Sequence, residues 1–400
     1  MNTIGKPRPM TPAPADSPLR RLIAEEIARR GPVPFSRYME LCLYHPELGY
    51  YSRAEEKFGK GGDFYTSSDV CAVFGRLLAR QFDQMWRALG EPPSLDVIEL
   101  GPGRGLFAQD VLANAERKYP RFYAAARYRL VESSPSLRAR LQTTFGPHIA
   151  QERASVHAGM SELAPAGNAI VFANEFFDAL PVEVLDYRGE VRVGMRDQHF
   201  IEQFAPPSAE VLEFVDRYGV HPENGERVEA APAYREWLRQ IAGAFHRGFV
   251  LAVDYGYTRG ELLAGRHRGT IAAFRRHTLS RDPYEAPGEQ DITAHVNFTA
   301  LGQLARAAGI GPVAMVTQSQ LLMGIGEADQ FAEIFEDSTR PQEHAKRALQ
   351  LKHLVTPAGM GESFHALLLA KGVGKEKAAQ LSGLRFASSR GEFASSRGGT

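Results

Sequence analysis

The sequence is poor in features that mark several specialised classes of protein. Only two of its 400 residues are cysteines, and Cys42 and Cys71 lack metal-site spacing, so neither a disulfide framework nor a zinc site is indicated. No apolar run reaches the roughly 20 residues that a membrane-spanning helix needs. The 47 basic and 47 acidic side chains cancel, so no overall charge attracts nucleic acid or a membrane surface.

The amino-terminal stretch also lacks targeting features. MNTIGKPRPMTPAPADSP contains neither a secretory apolar segment nor an arginine-rich amphipathic helix. Two cysteines in a chain of this length are typical of a reducing compartment. We therefore expect a cytoplasmic protein that is not inserted into a membrane and binds neither nucleic acid nor metal.

Strand-like and helix-like segments alternate through the middle of the chain. Apolar strand patterns end at Leu100, Val131 and Ala173, and helical patterns follow the first two. Such alternation is typical of parallel strands joined by right-handed crossovers. The sequence therefore predicts an α/β fold with a doubly wound, mostly parallel sheet.

Breaks in this alternation predict the domain organisation. The period changes to strand-like alternation after Pro181, and an irregular polar stretch follows the strand that ends near Tyr257. The predicted units are a flexible leader (1–16), an N-terminal helical extension with a lid (17–90), a catalytic domain (91–372) with insertions at about 182–247 and 257–297, and a disordered tail (373–400).

A glycine-rich turn, VIELGPGRG, follows the first strand of the catalytic domain. Gly101, Gly103 and Gly105 permit unusual backbone angles and close approach of a ligand, and the helix that begins at Leu106 presents unpaired N–H groups. A dinucleotide fingerprint would need glycine at position 106. The turn therefore favours S-adenosylmethionine over NAD and disfavours an oxidoreductase.

Two acids flank this turn in the predicted sheet. Glu99 precedes the glycines, where a carboxylate suits the cationic ammonium and sulfonium of S-adenosylmethionine. Glu132 ends the next strand and is predicted to accept both ribose hydroxyls of the adenosine. Alternatively, Glu99 forms a buried ion pair, for which Arg104 is a candidate, and Glu132 is a capping or surface acid.

The best candidates for catalysis follow the third strand, in the sequence NEFFD. Ligands of such folds bind at the carboxyl ends of strands. Glu175 and Asp178 could bind a planar guanidinium bidentately, with Asn174 on the cofactor side. Phe176 and Phe177 either wall the acceptor channel or belong to the core. No Pro-Pro-Tyr follows Asn174, which argues against a base-methylating enzyme.

Further candidates lie outside these turns. Asp254 could orient the substrate or cap a turn, and His295 could accept a proton or be structural. An aromatic segment in the extension is predicted to form a lid over the cofactor, or alternatively to pack in the core. Its members are Tyr50, Tyr51, Phe64 and two predicted cofactor contacts, Asp63 and Thr66.

Longer stretches resemble a known family. FSRYMELCLYHPELGYY, GGDFYTSSDVCAVFG, IELGPGRG, ANEFFDALPVEVL, VDYGY, GTIAAFRRH and DITAHVNFTAL are similar, in this order, to signatures of the MidA and NDUFAF family of methyltransferases. The resemblance runs from about Pro34 to Gly372. It implies a class I methyltransferase fold with an N-terminal helical extension and insertions. The mitochondrial members are complex I assembly factors, for which it implies symmetric dimethylation of an arginine in a complex I subunit.

These observations together predict an S-adenosylmethionine-dependent methyltransferase. Its predicted acceptor is an arginine in a protein, with a complex I subunit as the candidate that the resemblance implies. A small-molecule methyltransferase is the alternative within the enzyme class. A non-catalytic assembly or scaffold protein that retains the cofactor fold is the alternative outside it.

Overall fold

A computed structural model describes residues 17–52, 72–263, 267–275, 278–280, 282–336 and 340–387. The predicted leader and the lid residues Asp63, Phe64 and Thr66 lie outside these ranges.

The described residues form helices and strands with the following bounds. The strands are β1 (Val33–Pro34), β2 (Leu95–Leu100), β3 (Ala126–Val131), β4 (Ala154–His157), β5 (Ala166–Asn174), β6 (Glu183–Asp186), β7 (Gly189–Arg196), β8 (His199–Ala205), β9 (Arg227–Ala230), β10 (Phe245–Tyr257), β11 (Ala272–Arg275), β12 (Thr278–Ser280), β13 (Asp291–Thr293), β14 (Val296–Asn297), β15 (Gly311–Thr317) and β16 (Phe364–Lys371). The α-helices are Pro18–Arg30, Phe35–Tyr44, Ala72–Ala88, Leu106–Lys118, Pro120–Ala125, Pro135–Thr144, Gly146–Ala150, Ala209–Tyr218, Ala233–Gly243, Arg259–Leu263, Phe298–Ala307, Gln318–Gly326, Ala332–Phe335, Pro341–Val355 and Lys375–Ala379.

The central sheet has the strand order β15-β16-β10-β5-β2-β3-β4, with β14 added beside β10. Strands β10, β5, β2, β3 and β4 are mutually parallel, and β16 runs antiparallel to β10 and β15. The prediction of a doubly wound, mostly parallel sheet is confirmed. The chain moves outward from β2 to β4 and then returns to β5 on the other side of β2. This reversal opens a crevice at the carboxyl ends of β2 and β5.

Both faces of this sheet are covered, which explains why its strands are almost continuously apolar. Successive side chains of a strand point to opposite faces, so Val97 and Ile98 belong to separate hydrophobic clusters. The helix Ala72–Ala88 covers one face together with the helix Leu106–Lys118. Phe107 of the second helix stacks on Phe172 of β5 at 4.4 Å between ring centroids.

The extension and the first insertion form one antiparallel sheet beside the core. Its order is β1-β7-β6-β9, with β8 paired to β7. The extension enters this sheet through β1, where Val33 pairs with Val193. Ser17 caps the start of the helix Pro18–Arg30, because its side chain accepts a hydrogen bond from the Arg20 N–H. The prediction of inserted antiparallel strands is confirmed.

The second insertion is more regular than its sequence suggests. It contributes a three-stranded sheet in the order β12-β11-β13. These strands are only three or four residues long, which is too short for a period of two to stand out.

The predicted boundary of the tail needs correction. Residues 375–387 are ordered into the fold, with a short helix at Lys375–Ala379 and buried side chains at Leu381 and Leu384. The Gly383 N–H donates to Oε1 of Gln81 at 2.9 Å. The prediction failed because the stretch is mostly polar, although Leu381 and Leu384 within it are apolar and buried.

Within the described ranges, no helix is both long enough and apolar enough to cross a bilayer.

Candidate active site

A cavity of about 400 Å³ lies at the crevice between the carboxyl ends of the central strands. The turn after β2 supplies one wall through Gly101–Arg104, and the end of β3 supplies Glu132 and Ser133. The segment after β5, from Asn174 to Pro181, supplies much of the opposite wall. Because the walls follow the switch in strand order, this is the site at which such folds bind ligands.

The three glycines of the turn share a left-handed backbone but differ in surroundings. Gly101, Gly103 and Gly105 have φ angles of 63°, 54° and 75°, a region in which residues with a Cβ are strained. A Cβ on Gly103 would meet no heavy atom of the described part of the chain within 4 Å other than those of its chain neighbours, whereas one on Gly105 would lie 2.6 Å from Cε2 of Phe145. Gly103 therefore leaves open space in the cavity wall, and Gly105 allows close packing of the following helix.

Glu132 is buried and tied to the glycine turn. Its Oε2 accepts a hydrogen bond from the Gly103 N–H at 3.3 Å, and its Oε1 accepts one from the Ser134 N–H at 2.8 Å. Burial raises the pKa of Glu132 to about 7, and these two N–H groups oppose that rise. The next helix is capped by the side chain of Ser134. The structure therefore places Glu132 in the cavity rather than on the surface.

Glu99 is buried away from the cavity wall. Its Oε2 accepts a hydrogen bond from the Tyr128 hydroxyl at 2.8 Å. Burial raises the pKa of Glu99 to about 8, and this hydrogen bond only partly offsets the effect. The hydrogen-bond partner of Glu99 is thus the neutral Tyr128 hydroxyl. A contact between Glu99 and a cofactor stays a prediction.

The residues after β5 are held in a strained turn. Glu175 has a φ of 49°, in the left-handed region, where a non-glycine residue costs about 1–3 kcal/mol and is often functional. Its N–H donates to the Val253 carbonyl at 2.9 Å, and the Asn174 amide donates to its Oε1 at 3.2 Å. Both side chains line the cavity.

Asp254 fixes this turn from the end of β10. Its fully buried carboxylate accepts hydrogen bonds from the N–H groups of Phe177 at 3.1 Å and Asp178 at 3.3 Å. Burial raises the pKa of Asp254 well above its usual range, and the like charges of Asp178 and Glu175 add to the effect. Asp254 does not line the cavity, so it caps a turn and positions residues that do.

Asp178 is a buried carboxyl at the cavity. Burial raises the pKa of Asp178 to about 6. The sequence left two roles open for Phe176 and Phe177, the wall of the acceptor channel or the core, and the structure gives each residue a different one. Phe176 lines the cavity and meets Trp237 edge to face at 4.8 Å, whereas Phe177 is a core residue.

His295 lies apart from the other candidates. Its side chain is exposed and does not line the cavity, and its ring meets that of Tyr255 edge to face at 5.2 Å. Its backbone N–H donates to Oγ1 of Thr270 at 3.0 Å. The structure brings Glu175 and Asp178 together and leaves His295 outside, so its role as a proton acceptor stays a prediction.

Several cavity residues were missed by sequence reasoning. They come from the extension and both insertions: Tyr44, Trp237, Asp291 and Thr293. Tyr51 of the predicted lid also lines the cavity. A signal for Asp291 and Thr293 was present, because they begin the stretch DITAHVNFTAL. Trp237 carried no local signal beyond its place on an amphipathic helix.

The fold and the glycine-lined cavity define a class I methyltransferase. The family model described as "Putative S-adenosyl-L-methionine-dependent methyltransferase" matches residues 77–315, and the chain belongs to this family. A crystal structure from Burkholderia thailandensis bound to S-adenosyl-homocysteine superposes with a TM-score of 0.79 at 29% identity. The alignment covers 94% of this chain and 98% of that chain. The predicted family, enzyme class and cofactor are confirmed.

Relatives with assigned names are also similar over most of their length. The "Protein arginine methyltransferase NDUFAF7 homolog, mitochondrial" of Drosophila melanogaster is 29% identical, covering 89% of this chain and 85% of the relative. The human "Protein arginine methyltransferase NDUFAF7, mitochondrial" is 26% identical, covering 88% and 83%. The prediction of a cytoplasmic location is wrong by this comparison, because these relatives are mitochondrial proteins. Low cysteine content is typical of any reducing compartment and could not tell the two apart.

Proposed function

We propose that this protein methylates an arginine side chain of a protein substrate. The observation that carries the proposal is that Glu175, Asp178 and Asp291 line one cavity together with Trp237, where Glu40 and Glu132 also contribute carboxyl side chains. Arg104 is the basic side chain among the described residues of the cavity wall. Such a surface suits a cationic acceptor with a flat apolar face.

The cofactor side of the cavity fits S-adenosylmethionine. The open space at Gly103 admits a ligand close to the backbone, and Glu132 is the acid that would accept the ribose hydroxyls. When bound, S-adenosylmethionine supplies an electrophilic methyl group, which the acceptor nitrogen takes as the carbon–sulfur bond breaks.

The chain itself has to hold the acceptor and remove a proton. A guanidinium is planar, and a carboxylate such as Glu175 can bind two of its N–H groups at once. The nitrogen that gains the methyl group loses one proton, which passes to a neighbouring carboxylate. Asp178 suits this step, because its pKa of about 6 makes it a better proton acceptor than an ordinary aspartate.

The names of the relatives favour this proposal over a small-molecule acceptor or a non-catalytic scaffold. A subunit of respiratory complex I is the protein to test first, because the family resemblance implies it.

The experiment incubates the purified protein with radiolabelled S-adenosylmethionine and a lysate that lacks the endogenous enzyme. Mapping and hydrolysis of the labelled peptides should release methylated arginine. Glu175→Gln should abolish labelling and leave the affinity for S-adenosyl-homocysteine unchanged, because it removes the charge that binds the acceptor.

Glu152→Gln is the matched control. Glu152 is also a left-handed glutamate, with a φ of 56°, but it is exposed and lies outside the cavity. This variant should label normally. Label found only in small molecules, or in residues other than arginine, would contradict the proposal.

A further inference from the structure

The acceptor side of the cavity is completed by segments outside the methyltransferase core. The extension contributes Tyr44 and Tyr51, the first insertion Trp237, and the second insertion Asp291. These segments are distant in sequence and are joined by specific contacts. The extension and the insertions therefore supply a part of the cavity wall that the core strands do not.

Among the described residues, these segments bring two charged side chains to the wall, Asp291 and Glu40. Glu40 is exposed and accepts a hydrogen bond from Arg37, whereas Asp291 is buried. It lies on β13 and is 7% exposed. Its Oδ1 accepts a hydrogen bond from the Tyr51 hydroxyl at 2.7 Å. The two residues are 240 positions apart, so this bond connects the extension directly to the second insertion.

Both partners are also fixed relative to the turn after β5. The Tyr44 hydroxyl donates to the Ala179 carbonyl at 2.9 Å, and the ring of Tyr44 packs on that of Tyr51 at 5.5 Å. The Ala294 N–H, just after β13, donates to the Asp178 carbonyl at 2.9 Å. Asp291 therefore faces the cavity at a set position with respect to Asp178.

We propose that Asp291, held by Tyr51, is the specificity-determining contact that selects a charged guanidinium over neutral acceptors. The inference rests on the proposed function and adds that Asp291 and Tyr51 discriminate between charged and neutral acceptors. Asp291 lines a cavity in which it is little exposed to water, where charges attract more strongly than in bulk solvent. A cationic acceptor therefore gains an attraction to this carboxylate that a neutral acceptor of the same shape lacks.

The test measures binding of two probes of equal shape in the presence of saturating S-adenosyl-homocysteine. N-acetyl-arginine methylamide carries the guanidinium, and N-acetyl-citrulline methylamide replaces it with an uncharged ureido group. Trp237 lines the cavity and provides the fluorescence signal, which should disappear in Trp237→Phe because the other tryptophan, Trp86, is buried elsewhere. The arginine probe should bind at millimolar concentration and the citrulline probe at least about 10-fold more weakly.

Variants separate the roles of the pair. Asp291→Asn should weaken the arginine probe about 10-fold or more, since it removes a charged partner. Tyr51→Phe should weaken it about 2- to 10-fold, since it removes one hydrogen bond that orients Asp291. Glu285→Gln, an exposed acid of the same insertion, is the matched control and should bind normally. Unchanged affinity for S-adenosyl-homocysteine verifies that each variant is folded.

The outcomes distinguish this inference from the proposed function. Equal binding of the two probes, no binding of the arginine probe, or an Asp291→Asn variant with unchanged affinity overturns the inference. If Asp291→Asn also loses affinity for S-adenosyl-homocysteine, Tyr51→Phe takes its place in the test. Unchanged affinity of Tyr51→Phe for the arginine probe then overturns the inference. Labelling of arginine in the lysate experiment, in contrast, depends on the wild-type protein alone. Its absence overturns the function, and its presence beside an unaffected Asp291→Asn overturns only this inference.

Discussion

Gly103→Ala tests whether the open space in the glycine turn is the cofactor's place. The substitution adds one methyl group at a φ of 54°, and a left-handed alanine costs about 1–2 kcal/mol. Apart from its chain neighbours, no heavy atom of the described residues lies within 4 Å of the new Cβ, so packing should add little to this cost. A ligand seated there would meet the methyl group directly.

The expected loss of affinity follows from that contact. Forcing an extra methyl group into a filled site costs about 1–3 kcal/mol, which corresponds to about 5- to 150-fold in the dissociation constant. Calorimetry with S-adenosyl-homocysteine measures this loss, and denaturant unfolding measures the free energy of unfolding of each variant.

Two other glycines serve as controls. Gly90 has a φ of 84° and lies outside the cavity, and beyond its chain neighbours no heavy atom in the described ranges lies within 4 Å of the position that a Cβ would take. Gly90→Ala should therefore lose a similar amount of stability and keep its affinity. Gly105→Ala should lose more stability, because its Cβ would lie 2.7 Å from Cδ2 of Leu141. A Gly103→Ala variant that binds S-adenosyl-homocysteine as tightly as the wild type would refute the reasoning.

Two pH-dependent effects follow from the buried acids. In the proposed cofactor site the ionised form of Glu132 would accept the ribose hydroxyls, and the pKa of Glu132 is raised to about 7, so the affinity for S-adenosyl-homocysteine should weaken as pH falls below about 7. Calorimetry between about pH 5.5 and about pH 8.5 checks this, and a Glu132→Gln variant that keeps the same slope would contradict it. Glu99 has a pKa raised from 4.5 to about 8. Between these values it stays protonated in the folded state while the unfolded state ionises, so the free energy of unfolding falls as pH rises, by about 1.4 kcal/mol per pH unit. Glu99→Gln should therefore raise the free energy of unfolding above about pH 8 and change it little below about pH 5. Equal effects at both ends would refute this account.

The parts of the site that could be predicted are those encoded in a short stretch of chain. The glycine turn, Glu132 and the NEFFD segment each follow a strand whose end is visible in the sequence, and strand ends meet at one edge of a parallel sheet. The predicted fold and the wall formed by these segments therefore agree with the structure.

The remaining wall depends on contacts between distant segments. Tyr51 and Asp291 meet only because the extension and the second insertion fold against the same turn, and no local pattern encodes that meeting. Asp254 stands at a visible strand end, but its role as a buried cap depends on the neighbouring strand. His295 has suitable chemistry for catalysis, yet the structure places it among exposed residues that do not line the cavity.

The docking of residues 375–387 bears on how shortened versions of the chain should be made. The side chains of Leu381 and Leu384 shield apolar surface, and Ser382 bonds through both its N–H and its hydroxyl to Oε1 of Gln84. Cutting the chain at residue 373, where the composition turns polar, would strip this cover and leave an exposed apolar patch on the helix Ala72–Ala88. A protein ended after residue 387 keeps the cover in place and is the better starting point for crystallisation and for attaching an affinity tag.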